Sequence, residues 1–206
     1  EVITFTSSID LGLNSSISYW TNFTTPNVFI GEGSYGSDYM VYSDGVNTYF
    51  RIKNAFVTFS GVAPATGQWH HIVFLRTGND VEMYLNNVSQ GTQTNASFGA
   101  YTTKFDAIGG KPNGANDIVG NITEVSAFDY VLSASQVTDL YGTGSAIGNP
   151  MSLTTKPVAY YPLGDAAFNG EFLATNNATE LYENYSLAFN GTDDRIDIPQ
   201  IDITGD

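Results

Sequence analysis

The sequence predicts an all-β fold, a jelly-roll sandwich of two antiparallel sheets with one short helix. Three observations point there. Charged residues make up only 14% of the 206 positions, while aromatics also reach 14% and Gly, Asn, Ser and Thr are abundant; soluble domains average about 25% charged, so this is a strand-and-turn composition. Short runs of alternating apolar and polar residues, separated by turn residues, fill the first 130 positions. One segment alone has helical spacing.

Taken in order, the runs are Val2 to Thr6, Ile17 to Asn22, Val28 to Gly31, Tyr39 to Tyr42 and Thr48 to Lys53. They continue with Ala55 to Phe59, His70 to Arg76, Val81 to Leu85, Phe105 to Gly109 and Ile118 to Phe128. The breaks are marked by Ser43-Asp-Gly45, Thr77-Gly-Asn-Asp80 and Lys111-Pro-Asn-Gly114, which accept φ > 0 or pre-set a turn. The helical segment is Ser133 to Tyr141: Val137, Leu140 and Tyr141 share a face behind a capping Ser133, and Gly142 ends it. Residues 143–156 are rich in small residues and read as a linker. Beyond it, Val158 to Gly164, Tyr185 to Phe189 and Arg195 to Ile198 read as strands. Fifty residues with three short strands cannot bury a core of their own, so residues 157–206 must pack on residues 1–142 or on another copy.

The start and the end of the chain resemble each other. Val2-Ile-Thr-Phe-Thr-Ser-Ser-Ile-Asp-Leu11 has a counterpart in Arg195-Ile-Asp-Ile-Pro-Gln-Ile-Asp-Ile203. Two copies of one leading edge fit a tandem array or a strand-exchanging polymer. Glu1 opens inside a strand pattern, without an initiator Met, so the chain reads as processed or excised from something larger.

Composition also excludes classes of function. Seven Lys and Arg against 21 Asp and Glu give a net charge of −14, which repels nucleic acid and anionic membranes and leaves cations and neutral sugars as partners. The absence of Cys removes disulfides, thiolate metal sites and thiol nucleophiles. No run of about 18 apolar residues is present, so no membrane insertion by a helix is expected.

Five motifs stand in order: Gly67-Gln-Trp-His-His-Ile-Val-Phe-Leu-Arg76, Val81-Glu-Met-Tyr-Leu-Asn-Asn87, Ile108-Gly-Gly110, Gly120-Asn-Ile-Thr-Glu-Val125 and Leu132-Ser-Ala-Ser-Gln-Val137. Together they resemble laminin-G-like domains of the concanavalin A-like lectin/glucanase superfamily. The usual opening of that family resembles Tyr160-Tyr-Pro-Leu-Gly-Asp165 and Ser186-Leu-Ala-Phe-Asn-Gly-Thr-Asp-Asp194, which here come last. The resemblance implies that residues 1–142 are a laminin-G-like sandwich lacking its opening strands, and that residues 157–206 supply those strands to the same or an adjacent sandwich. Pro157 to Asp165 is also similar to repeats in structural, tail-fibre-type proteins of marine bacteriophages.

Candidate sites follow. Strand complementation falls to Tyr160, Tyr161, Leu163, Leu187, Phe189, Ile196 and Ile198. Sugar binding on aromatic platforms falls to Tyr35, Asp38, Tyr39, Tyr42 and Asn47. Calcium, the metal this oxygen-rich composition could hold, has Asp165, Asp193 and Asp194 as candidates, with Asp106 and Asp117 at turn edges. Sequons place glycosylation acceptors at Asn14, Asn22, Asn87, Asn95, Asn121, Asn177, Asn184 and Asn190. In Trp69-His-His71 the two rings point to opposite faces of a strand and cannot share a metal, so Trp69 and one His are expected to pack inward and the other His to face solvent or a cross-strand partner. Glu124 lacks a second acid on its own strand face, so no glycosidase dyad is formed there. The expected function is a non-enzymatic structural or adhesive module of an extracellular or virion fibre, assembling with copies of itself by strand complementation. A monomeric carbohydrate-binding lectin domain, meeting a cell-surface glycan, is the alternative; a glucanase-like hydrolase comes third.

Overall fold

Apolar alternation resolves into two stacked sheets in the computed structural model, which describes residues 2–34, 40–114, 116–143 and 147–163. The strands are β1 (Ile3–Gly12), β2 (Asn14–Thr25), β3 (Val28–Gly31), β4 (Val41–Ser43), β5 (Thr48–Ile52), β6 (Ala55–Phe59), β7 (His70–Thr77), β8 (Asp80–Leu85), β9 (Val88–Thr94), β10 (Thr103–Ile108), β11 (Val119–Phe128) and β12 (Ala159–Tyr161). One sheet has the order β1-β10-β3-β4-β5-β6 and the other β12-β11-β2-β7-β8-β9, with every pairing antiparallel. These strands lie within one compact unit, Glu1–Leu163; a second unit, Gly164–Asp206, lies outside the described residues.

The period of two sets what meets between the layers. In β2, Ile17, Tyr19 and Phe23 point inward; in β5, Phe50 and Ile52 do so, and Phe29, Phe74, Met83 and Phe105 complete the core. Burying each such side chain contributes about 1.5–3 kcal/mol, so this cluster is the main source of stability in a chain without disulfides.

The second sheet is covered on its outer face as well. Val73, Leu75 and Phe128 meet Leu132 and the helix α1 (Ala134–Tyr141) through Val137 and Leu140. The helix begins as the sequence indicates. Ser133 and Gln136 form a reciprocal capping box, and Gly142 closes it at φ 68°. Within residues 143–156 the chain forms a 3-10 turn at Pro150–Ser152, capped by the Asn149 side chain, and Leu153 inserts under the helix at 5% exposure.

Double coverage corrects the expectation for Trp69, while the two His follow theirs: His70 shares the inward parity of Ile72 and Phe74, and His71 meets a cross-strand partner on the other face. Both imidazoles are buried and Trp69 is 47% exposed. Trp69 precedes the first paired residue of β7, whereas His70 is held by Ala65 O and Asn86 Nδ2, and His71 lies between Ser18 Oγ at 2.8 Å and the stacked ring of Trp20 at 5.1 Å. Burial pushes the His71 imidazole down to about 3. A depressed folded value means that stability present above the ordinary His range is lost as pH falls from about 6.5 toward about 3, because only the unfolded chain accepts the proton freely. In urea titrations across that window, His71→Phe is expected to lose less stability on acidification than the wild type; parallel curves would contradict this.

The strand β9, Val-Ser-Gln-Gly-Thr-Gln-Thr, was not expected, because it carries no apolar alternation and is mostly exposed. Its pairing to β8 in a hairpin places it.

The tail closes one edge. Val125, Ser126 and Ala127 of β11 pair with Tyr161, Tyr160 and Ala159 of β12. Two flanking bonds extend the ladder, Val158 N–H to Ala127 O at 2.8 Å and Glu124 N–H to Pro162 O at 2.9 Å. Tyr161 also stacks on Phe5 of β1 at 5.0 Å, bridging the two layers.

Candidate functional site

Inward placement of Val41, Phe50 and Val57 turns Tyr42, Tyr49 and Phe56 outward on three neighbouring strands. Tyr42 and Tyr49 stand stacked at 4.5 Å and 6°. Phe56 is turned 65° to Tyr49 at 6.2 Å. Two rings therefore brace each other, and the third presents apolar surface to solvent at 48% exposure.

The β4–β5 turn fixes the first two rings. Asp44 accepts hydrogen bonds from the backbone N–H of Val46 and Asn47, from Asn47 Nδ2 and from the Tyr49 hydroxyl at 2.7 Å. These bonds, the Asn47 backbone N–H first, hold its carboxyl well below the usual carboxylate range. Gly45 takes φ 89° to allow the turn. Asn47 spends its carbonyl on Gly61 N–H at 3.0 Å and its amide on Asp44 and Tyr49. Tyr42 and Asn47 are thus brought together, with the polar atoms of Asn47 committed inside the hairpin. Tyr35, Asp38 and Tyr39 lie outside the described residues.

Beside Phe56 opens a groove of about 530 Å³, lined by Lys53, Asn54, Phe56, Asn95, Ser97 and Tyr101. Its floor comes from the tight Lys53-Asn54 turn, where Lys53 sits at φ 53°. Lys53 Nζ donates to the Tyr101 hydroxyl at 3.1 Å and lies 4.6 Å from the ring centre. Asn95 Nδ2 donates to Phe56 O at 2.9 Å, tying the far wall to β6.

Behind that wall stands Arg76, 1% exposed. Its guanidinium donates to Phe98 O, Tyr101 O, Gly78 O and Thr103 Oγ1 at 2.6–2.9 Å, and it lies over the Phe98 ring. The turn carrying Ser97 and Tyr101 is thereby anchored to β7.

At the sandwich edge, Tyr160, Tyr161 and Leu163 lie against β11 and the core. The Tyr160 hydroxyl donates to Glu124 Oε2 at 2.5 Å, and Thr123 Oγ1 donates to the carbonyls of Pro162 and Leu163. Glu124 occupies a bulge at φ 54° where the β2 register shifts. Burial raises its carboxyl, against the Tyr160 bond that lowers it. Leu187, Phe189, Ile196 and Ile198 lie outside the described residues.

The metal candidates Asp165, Asp193 and Asp194 also lie outside them. Asp106 is engaged by Gly33 N–H and Ser8 Oγ, while Asp117 has a buried oxygen without a hydrogen-bond partner. Among the described residues no group of three or more His, Cys, Asp or Glu is placed to hold a metal ion. Of the sequon asparagines, Asn14 and Asn121 are exposed, Asn22, Asn87 and Asn95 are half-buried, and Asn177, Asn184 and Asn190 fall outside the described residues.

Sequence reasoning missed Tyr49, Phe56, Lys53, Asn95 and Tyr101. A signal was present: Phe50 and Ile52 inward force Tyr49 outward by period two, and Phe56 follows across a two-residue turn.

A family model described as the concanavalin A-like lectin/glucanases superfamily matches residues 3–138. No curated protein sequence matches the chain. Among solved structures, a native heptameric SAP-like pentraxin from Limulus polyphemus is similar at TM-score 0.55 and 15% identity, covering 78% of this chain and 84% of that one. The binding domain of Paraclostridial Mosquitocidal Protein 1 is similar at TM-score 0.50 and 10% identity, over 69% of this chain and 40% of that one. The binding domain of botulinum neurotoxin DC, in complex with rat synaptotagmin II, is similar at TM-score 0.50 and 14% identity, over 64% of this chain and 36% of that one. Such identities establish a shared sandwich fold.

Proposed function

Since the chain belongs to the concanavalin A-like lectin/glucanases superfamily, with its family model spanning residues 3–138, we propose that it is a non-enzymatic adhesive module that binds carbohydrate on the outer face of its β4–β5–β6 hairpins. The observation that carries this is the exposed Phe56 ring, braced by the Tyr42–Tyr49 stack and opening on a groove rimmed by amide, hydroxyl and ammonium groups. An aromatic face beside hydrogen-bonding groups fits the apolar face and equatorial hydroxyls of a sugar ring. The pentraxin and toxin binding domains that share the fold favour a binding module over an enzyme. Glu124 does not carry hydrolysis in this reading, because a glycosidase needs a second carboxyl facing the first and the strand face of Glu124 offers none.

Removing one stacking ring from a sugar site costs about 1 kcal/mol or more. Phe56→Ala is therefore expected to weaken binding to any glycan found on an array by about fivefold or more, with an unchanged melting temperature. Undiminished binding would place the sugar elsewhere.

A second reading, assembly into an extracellular or virion fibre by strand complementation, is favoured by the pairing of β12 on β11. The strand that follows the helix supplies an edge to a sheet formed by the residues before it. In an assembly of several copies the same pairing joins one unit to the next.

A further inference from the structure

The charge pattern around the Phe56 groove selects a class of sugar. Seven cationic side chains are spread through a chain of net charge −14. Arg76 is buried behind the groove wall and Lys104 is paired with Asp10 at 3.2 Å. Two others flank the exposed ring: Arg51 pairs in register with Phe56 on the same outer face, and Lys53 forms the turn beside it. Among the described residues, the groove lining includes Lys53 and no carboxylate.

The ammonium is held in place. Tyr101 supports it through its hydroxyl and its ring, and Arg51 Nε donates to Lys53 O at 2.7 Å, fixing the turn. An ammonium has three donors, and the Tyr101 hydroxyl takes one. Two are left by that bond on a side chain that lines the groove.

Resting on the carbohydrate reading of this face, we propose that the ligand is an oligosaccharide bearing a sugar carboxylate, with the sugar ring on Phe56 and the carboxylate on Lys53 Nζ. A carboxylate fits better than a densely sulfated chain. One ammonium balances one charge, and a polyanion with several charges per sugar meets the repulsion of a surface that is −14 overall.

The test compares a neutral oligosaccharide carrying a single terminal uronic acid with the same oligomer after carboxyl reduction, by calorimetric titration of the full chain at low and moderate salt. The wild type is expected to bind the acidic oligomer about tenfold more tightly, with the preference shrinking as salt rises. Lys53→Asn, which keeps a residue that tolerates positive φ, is expected to abolish the preference, and Lys53→Arg to retain it. Equal affinity for both oligomers, or a preference that survives Lys53→Asn, overturns the carboxylate assignment. If only neutral glycans bind, and Phe56→Ala weakens them, the assignment also fails while the aromatic face stands. Binding of glycans that ignores both Phe56→Ala and Lys53→Asn removes the face itself.

Discussion

Replacing Arg76 with Met is expected to destabilise the protein by about 3–5 kcal/mol, because several buried or part-buried acceptors lose their donor at once. A buried ion pair exchanged whole for apolar residues is often neutral, but that case does not apply here. The guanidinium satisfies the carbonyls of Phe98, Tyr101 and Gly78 and the hydroxyl of Thr103, all of which stay behind when it is deleted. Each buried acceptor left without a donor costs about 1–3 kcal/mol, and the thioether of Met replaces only the aliphatic stem. For a domain of this size the melting temperature should fall by on the order of 10 °C. The loss should also be felt in function. Ser97 and Tyr101 line the groove and are tied to the sheet by Arg76, so glycan affinity should fall even at temperatures where the variant remains folded. A variant that melts within about 2 °C of the wild type would show that solvent reaches these carbonyls.

What the sequence made legible follows from where burial is one-sided. Strands such as β5 and β6 alternate cleanly and their boundaries were read to within a residue, and the capping box announced the helix. Strands covered on both faces alternate less, which is why Trp69 was misplaced: nothing in Trp-His-His tells a reader that helix α1 will roof the outer side of β7 and leave Trp69 exposed. The opposite failure hid β9, polar on both faces and held by its ladder to β8. The groove escaped because its walls come from residues about 40 apart, joined by Asn95 reaching the Phe56 carbonyl and Arg76 holding the Phe98 turn. Long-range polar ties of this sort leave no periodic trace. Tyr42 and Asn47 were legible as a surface aromatic cluster, but the hydrogen bonds that commit Asn47 to its own hairpin depend on Gly61, fourteen positions on.

Cutting the chain after Lys156 should open the edge that β12 covers, and a chain ending at Leu163 isolates that strand as the cause. Both forms keep Leu153 beneath the helix and the bond from the Tyr130 hydroxyl to Thr155 O, so the helical roof stays intact. The shorter form loses the β12 ladder, the Tyr161–Phe5 stack and the Tyr160–Glu124 bond. Three or four half-buried side chains and several backbone bonds at modest net value amount to about 3 kcal/mol. The melting temperature should therefore drop by roughly 6–12 °C relative to the 163-residue form. Exposure of β11 also leaves backbone donors and acceptors unpaired along a sheet edge, and the shorter form should self-associate as its concentration rises. Glu124 links the two effects. Its carboxyl, raised by burial, loses its Tyr160 partner and gains solvent, so it should titrate nearer the ordinary Glu range in the shorter chain. Adding a peptide spanning residues 155–163 in trans should restore part of the lost stability, because the edge accepts a strand whichever molecule supplies it. Identical melting and a monomeric state for the two truncated chains would mean that β11 needs no cover, and strand complementation would then have no driving force.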